Sequence, residues 1–155
     1  MGTFYENGKE INRIKVIPKR KYEPLFSGYI SITENDWRIY NVELYALKEQ
    51  QLQFLDTLQI QQVYIPLKDK WVIKQQVIIP SGKILAFDFW GSFVQVYDKF
   101  NVEPEFKKKF FNNVKMKFYD SANKKTKAYW DSVRPIPLLA NEARDYVKKD
   151  SLEQV

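Results

Sequence analysis

The side chains of this sequence that could carry out chemistry are carboxylates, because the chain of 155 residues contains neither His nor Cys. Without these residues the chain lacks the usual general base, the best metal ligands and the strongest nucleophile. Asp56 and Asp88 lie in apolar stretches, where burial would raise the pKa of a carboxyl group and suit it to acid catalysis. Strand alternation gives a simpler interpretation, in which both side chains point to solvent. We therefore predict that the chain is not an enzyme and has no catalytic residue.

Oxygen ligands occur together at Glu34, Asn35 and Asp36, but the repeating acidic pattern of a calcium loop is missing from the sequence. Three such residues between two apolar runs are typical of a tight turn. Glycine-rich phosphate-binding motifs are also missing. The sequence therefore predicts no metal site and no cofactor.

Aromatic side chains form a second candidate site, since they make up 16% of the chain and several of them fall in one stretch. One interpretation is an apolar ligand groove inside a curved sheet. The other is an ordinary aromatic core. The residues predicted to line such a groove are Trp71, Phe87, Phe89, Trp90 and Phe93, with Tyr97 beside them.

A third stretch interleaves lysines with aromatic residues, which is the composition of a nucleic-acid or anionic-lipid surface. The alternation over residues 114–119 also fits an amphipathic edge strand whose lysines discourage unwanted pairing, and this interpretation is preferred. The net charge of +6 comes mainly from Lys rather than base-reading Arg, so no nucleic-acid partner is predicted. The stretch contains Lys107, Lys108, Lys109, Lys115, Lys117, Lys124, Lys125 and Lys127 with Phe110, Phe111, Phe118 and Tyr119.

These candidates lie on a series of predicted strands, because apolar and polar residues alternate along most of the chain. Residues 1–7 are expected to be loose, and turns are expected at 34–36, 68–70 and 80–83. Gly91 is expected to mark a bulge or bend. The predicted strands cover residues 11–17, 25–33, 37–47, 52–66, 71–79, 84–97 and 114–119.

Short turns without intervening helices exclude parallel crossovers and predict an antiparallel meander. Several strands carry apolar residues on both faces, so one face must be covered by curling of the sheet or by a helix. The predicted fold is therefore mainly β: a curved antiparallel meander sheet or a partly open barrel, with a C-terminal helix. This arrangement is similar to the lipoprotein-carrier architecture, in which a curved sheet encloses an apolar groove.

The C-terminal part of the chain has a different character. Pro135 and Pro137 predict an extended segment over residues 130–138. Apolar residues at helical spacing then predict a helix over about 139–149. The predicted organisation is an N-terminal extension or first strand over 1–20, an antiparallel β domain over 21–128, and a Pro-containing connector with the helix over 129–155.

The tail carries a distinctive motif, Tyr129-Trp130-Asp131-Ser132-Val133-Arg134-Pro135-Ile136-Pro137-Leu138, followed by Glu142, Asp145-Tyr146 and Lys149-Asp150-Ser151-Leu152. This motif resembles a family of uncharacterised Bacteroidetes outer-membrane proteins. Weaker similarity to the same family runs through residues 22–28, 36–39 and 54–71. Members combine an N-terminal carboxypeptidase-regulatory-like domain, a middle domain and a predicted C-terminal membrane β-barrel.

The resemblance implies that the chain is the middle domain, located in the periplasm and associated with the outer membrane. It implies partners in the adjacent domains of the parent chain, including the membrane β-barrel, and it implies no activity. With the aromatic residues, it favours a non-catalytic module that holds an apolar ligand, a lipid or an apolar partner peptide. Two alternatives stay open: a purely structural spacer, and a hydrolase that uses carboxylates alone, with Asp88 or Asp56 as candidates.

Overall fold

A computed structural model describes residues 2–111, 116–121 and 124–153 of the chain. The chain divides into two compact units, Met1–Pro104 and Glu105–Val155. The first unit holds the β-strands and the second holds two α-helices.

The elements follow one another along the chain with short connections. The strands are β1 (Gly2–Glu6), β2 (Lys9–Val16), β3 (Ser27–Thr33), β4 (Ile39–Leu47), β5 (Thr57–Leu67), β6 (Lys70–Ile84), β7 (Phe87–Trp90) and β8 (Phe93–Val96). A single 3-10 turn, Lys48–Gln50, lies between β4 and β5, and the helices are α1 (Lys127–Val133) and α2 (Ala140–Glu153).

The strands form one sheet of eight strands in the order β1-β2-β3-β4-β5-β6-β7, with β8 also paired to β6. Every pair in the sheet is antiparallel. This confirms the mainly β antiparallel meander that the short turns predict. The sheet is open and does not close into a barrel.

Strands β7 and β8 are two parts of one interrupted strand. Trp90 pairs with Ser81 and Phe93 with Ile78, so both parts keep the same register against β6. The interruption lies opposite Pro80, which has no N–H to donate to the ladder. The Pro80 carbonyl still accepts a hydrogen bond of 3.1 Å from the N–H of Gly91. The sequence predicts a bulge or bend at Gly91, but the unchanged register means that no extra residue is inserted there, and the strand is only interrupted opposite Pro80.

The predicted turn at residues 80–83 is wrong, because these residues belong to β6: residues 80 and 81 pair with β5, and residues 81–83 pair with β7. Gly82 pairs with Phe89, and a Cβ at position 82 would stand 2.9 Å from the Phe89 ring. The glycine therefore permits a close aromatic contact and does not serve a turn. The chain reverses instead at Leu85 and Ala86, with φ of 48° and 71°.

The prediction that residues 1–7 are loose is also wrong, since they contain the edge strand β1. Asn7 and Gly8, with φ of 50° and 74°, join β1 to β2 in a two-residue turn. Two left-handed residues of this kind suit the right-handed twist of the flanking strands, and Asn-Gly is their favoured sequence. The dipeptide was visible in the sequence and was the signal for this hairpin.

The second unit corrects two further predictions. Residues 116–119 form no strand, and the rest of the strand predicted over 114–119 lies outside the described residues. The extended segment predicted from residue 130 is wrong over Trp130–Val133, which belong to α1. Thr126 caps this helix by accepting a hydrogen bond of 3.2 Å from the N–H of Tyr129. Both prolines follow the helix, so they terminate it without interrupting it.

Helix α2 confirms the C-terminal helix, with a start at Ala140 and an end at Glu153. Leu139 precedes it and has no side-chain oxygen to cap the helix. The Glu142 carboxylate partly substitutes for such a cap by accepting a hydrogen bond of 2.8 Å from the Leu139 N–H. Over the described ranges, neither helix is long and apolar enough to cross a bilayer.

The described residues include few buried apolar side chains, namely Ile11, Val42 and Ala46. All three lie on strands of the sheet. Most of the large apolar side chains on these strands are half-buried or exposed, and they are therefore available to a further surface.

Candidate functional site

One face of the sheet carries an apolar row that crosses six strands. Residues that pair directly across antiparallel strands lie on the same face, so the register defines the row. Its central members Leu44, Ile60 and Ile78 are half-buried, and Phe93 at its end is exposed. The row consists of Val16, Gly28, Leu44, Ile60, Ile78 and Phe93, and we call the side of the sheet that carries it the apolar face.

A row of amides runs beside the apolar row on the same face. Gln62 pairs with Gln76, and Gln76 pairs with Gln95, across β5, β6 and β8. The Gln62 side-chain amide donates a hydrogen bond to the Gln76 carbonyl. The Gln76 amide in turn donates to the Gln95 carbonyl at 2.9 Å. The three amides therefore form a directed line of hydrogen bonds within an apolar surface.

Tyrosine hydroxyls complete this amide row. The Tyr64 hydroxyl donates to the Gln62 carbonyl at 2.8 Å, and the Tyr97 hydroxyl donates to the Gln95 carbonyl at 3.0 Å. The Gln95 carbonyl thus accepts two hydrogen bonds, which fixes the orientation of its side chain. The arrangement places polar groups at a defined position on an otherwise apolar surface, as in sites that bind amphipathic molecules.

The opposite face of the sheet differs along its width. At β2–β4 it carries the buried Ile11 among polar residues, and Arg13 forms an ion pair of 2.8 Å with Glu43 there. The Arg13 guanidinium also lies 4.2 Å from the centre of the Tyr29 ring. Towards β6 and β8 this face becomes apolar, with Val77 paired to Val94. The apolar face differs from this opposite face because it carries a row of apolar residues across six strands.

The structure brings together three of the five aromatic residues predicted to line a groove. Phe87, Phe89 and Phe93 follow the strand alternation of β7–β8 and share the apolar face. The Phe89 ring packs over Gly82, where no side chain is in the way. Phe87 is 78% exposed and Phe93 is 61% exposed.

The other two predicted residues lie elsewhere. Trp90 alternates with Phe89 and therefore projects from the opposite face. Trp71 is near the start of β6, roughly 40 Å along the strand from the Ile84–Phe87 pair. Its indole N–H donates to the carbonyl of Ile39, and the Lys9 ammonium lies 5.3 Å from its ring. Trp71 thus anchors one end of the sheet and lies apart from Phe87, Phe89 and Phe93.

The two candidate carboxylates are exposed or half-exposed and lie on different elements. Asp88 is on β7, with a carboxylate oxygen 3.6 Å from the Lys83 ammonium. Asp56 precedes β5 and accepts a hydrogen bond of 2.9 Å from Lys48. This hydrogen bond raises the pKa of the Lys48 ammonium. Each carboxylate therefore has a lysine partner.

The turn at residues 34–36 is confirmed, with Asn35 at a φ of 70°. Asp36 forms an ion pair of 2.7 Å with Lys9. The hydrogen bond from Lys9, together with its charge, lowers the pKa of the Asp36 carboxyl group. In the described part of the chain, no three acidic side chains gather closely enough to hold a metal ion.

Two shallow clefts lie at the end of the sheet where β5 turns into β6. The first, of about 290 Å³, is lined by Leu67, Lys68 and residues 100–103. The second, of about 210 Å³, contains Trp71 together with the Lys9–Asp36 pair. Phe87, Phe89 and Phe93 line neither cleft. The apolar face is therefore a separate feature from these clefts.

These observations define the class of the first unit as an open, single-sheet antiparallel meander with an amphipathic face. Residues 1–100 match the family of unknown function DUF5686, and the chain belongs to this family. The matched segment contains all eight strands. No curated protein and no solved structure matches the chain.

The amide row was missed by the sequence analysis. Its members are spread over three strands, and within β5 and β6 nothing separates Gln62 and Gln76 from the other Gln residues of the same strand. The signal was the recurrence of Gln at position 62 and at positions 76 and 95. That signal becomes informative only when the register of all three strands is known.

Proposed function

We propose that the chain is a non-catalytic periplasmic module of an outer-membrane-associated protein, and that its apolar face binds an apolar or amphipathic partner. The location is supported by the similarity of the tail motif at residues 129–152 to Bacteroidetes outer-membrane proteins. In that architecture the module would stand between a carboxypeptidase-regulatory-like domain and a membrane β-barrel. Its partners would be those adjacent domains, together with a lipid or an apolar peptide segment.

The observation that supports binding is the apolar row beside the amide row. Burying apolar surface is the main favourable term in association, and the row offers Leu44, Ile60, Ile78 and Phe93 for it. The amides of Gln76 and Gln95 would orient a polar end group. This combination suits a molecule with a long apolar part and a small polar head, such as a fatty acid or a single-chain lipid.

Catalysis by carboxylates alone is not proposed. Asp56 and Asp88 each lie beside a lysine, on separate elements. A hydrolytic pair needs two carboxylates that face a common substrate with different pKa values.

A binding experiment with matched variants tests the proposal. The probes are N-phenyl-1-naphthylamine, followed by fluorescence, and palmitate, followed by native mass spectrometry. We expect the wild-type chain to bind both probes. Replacing Phe87 and Phe93 on the apolar face by Ser should weaken binding at least about tenfold, since two aromatic contacts are lost.

The control uses the same two strands but the other face. Trp90→Ser with Val94→Ser removes two exposed apolar side chains of β7 and β8 and should leave probe binding within about twofold. Equal losses in the two double variants would show that binding is not confined to the apolar face. No binding of either probe by the wild-type chain would favour the structural spacer.

A further inference from the structure

The second unit presents a cluster of three phenylalanine rings. Phe106 lies 4.9 Å from Phe110 and 4.9 Å from Phe111, measured between ring centres, and Phe110 lies 5.2 Å from Phe111. The rings are 51%, 60% and 76% exposed, respectively. They are thus a contiguous apolar surface, which we call the phenylalanine cluster.

A tight turn holds the cluster together. The N–H of Phe110 donates a hydrogen bond of 2.9 Å to the carbonyl of Lys107, and Lys109 has a φ of 65°. The turn returns the chain so that Phe106, which precedes it, meets Phe110 and Phe111, which follow. Its residues Lys107, Lys108 and Lys109 are exposed and lie between Phe106 and Phe110 in the sequence.

The same part of the chain carries the net charge of the protein. Residues 105–127 contain eight lysines and two acidic residues, so their net charge of +6 equals that of the whole chain. The remaining residues are therefore electrically balanced. Positive charge is therefore concentrated in the stretch of sequence that includes the phenylalanine cluster, and charge complementarity calls for an anionic partner.

The described residues of the second unit offer no core for these rings. Not one of them is buried. Burial of large aromatic side chains is the usual source of their stabilisation. At least half of the surface of each phenylalanine therefore remains available for burial against something else.

An anionic bilayer fits this surface better than a nucleic acid does. Single-stranded nucleic acids stack their bases on open aromatic faces along a groove, whereas these three rings are turned towards one another. The basic residues of the segment are all Lys, which interacts as a point charge and does not read bases. Apolar side chains flanked by lysines are typical of segments that lie in the headgroup region of a membrane.

We propose that residues 105–111 bind the surface of an anionic lipid bilayer, with the phenylalanine cluster inserted at the headgroup boundary. Lys107, Lys108 and Lys109 would face the lipid phosphates. This site is distinct from the apolar face of the sheet, and neither proposal depends on the other. It would attach the second unit to a membrane without a spanning helix.

Co-sedimentation of the full chain with lipid vesicles tests this proposal. We expect binding to phosphatidylcholine vesicles that contain a minor fraction of phosphatidylglycerol, and much weaker binding to phosphatidylcholine alone. Phe110→Ala with Phe111→Ala should weaken binding to the anionic vesicles at least about tenfold. Replacing Lys107, Lys108 and Lys109 by Gln should cause a similar loss and reduce the dependence on salt.

Matched controls come from the first unit. Trp37→Ala with Phe54→Ala removes two exposed aromatic residues. Replacing Lys19, Arg20 and Lys21 by Gln removes another basic triplet. Both should bind vesicles like the wild-type chain, and circular dichroism checks that the sheet is intact in every variant. Equal binding to neutral and anionic vesicles would overturn the proposal. So would equal losses in cluster and control variants, or tighter binding to a single-stranded oligonucleotide that the cluster variants abolish.

Discussion

At the scale of single residues, Gly28 shows how closely two strands of this sheet approach each other. It adopts a φ of 138°, a conformation that residues with a side chain rarely adopt. A Cβ at this position would stand 2.1 Å from the carbonyl oxygen of Glu43 on β4. The absence of a side chain therefore lets β3 and β4 pair at this point.

Replacing Gly28 by Ala should destabilise the protein by about 2–4 kcal/mol, because the methyl group forces the backbone of β3 or β4 to move. Urea unfolding followed by circular dichroism measures the change. Ser27→Ala, at the neighbouring position of β3, serves as the control and should change stability by less than about 0.5 kcal/mol. A free energy of unfolding for Gly28→Ala equal to that of the control would contradict the geometry described here.

The candidate site was predictable at this scale where alternation within one strand decides on which face of the sheet a side chain lies. Phe87, Phe89 and Phe93 share a face because they are separated by even numbers of positions. The same rule places Trp90 on the other face. Trp71 could not be located this way, because its contact with Ile39 depends on strand register and on a backbone carbonyl two strands away.

At the scale of elements, the turn between β6 and β7 is formed by residues that do not favour it. Leu85 and Ala86 both adopt positive φ, a conformation that costs an ordinary residue about 1–2 kcal/mol. The turn between β1 and β2 has similar angles but uses Asn7 and Gly8, which tolerate them. The two hairpins therefore allow a direct exchange of turn sequences.

Replacing Leu85 by Asn and Ala86 by Gly should stabilise the protein by about 1 kcal/mol, since the backbone strain is relieved. The reverse exchange, Asn7→Leu with Gly8→Ala, should destabilise the first hairpin by a similar amount. Thermal unfolding by calorimetry measures both. A loss of stability on placing Asn-Gly at 85–86 would mean that the Leu85 side chain makes a contact that outweighs the strain.

Element boundaries were predictable where turn residues stand alone between two apolar runs, as at residues 34–36. They were not predictable at residues 80–83, where Pro and Gly have a role inside a long strand. Pro80 lies opposite the break between β7 and β8, and Gly82 receives the Phe89 ring. Residues that usually mark turns can therefore also lie inside a strand, and only the strand pairing distinguishes the two cases.

At the scale of the whole molecule, the first unit contains every described strand and every described buried side chain. A chain that ends at Pro104 should therefore keep the β-sheet, with a circular dichroism spectrum and a melting temperature close to those of the first unit in the full chain. Amide hydrogen exchange of both forms provides the residue-level comparison. Loss of protection across β6–β8 in the shortened chain would show that the sheet requires the second unit.

The antiparallel class was predictable at this scale because short turns leave no room for crossover connections. The openness of the sheet was not, since both a closed barrel and an open sheet have the same alternation within each strand. The distinction depends on whether the first and last strands pair, and that is a long-range property. Here β1 and β7 occupy opposite ends of the strand order.

A meander in which every strand up to β7 pairs with its neighbours in sequence has a consequence for how the protein acquires its structure. Most of the partners in the ladder are near in sequence, so little loop-closure entropy is lost at each step, and folding is expected to be fast for an all-β domain. The first hairpin can form while later strands are still being synthesised. The sheet can therefore form strand by strand from the N-terminus, before the C-terminal part of the chain has been synthesised.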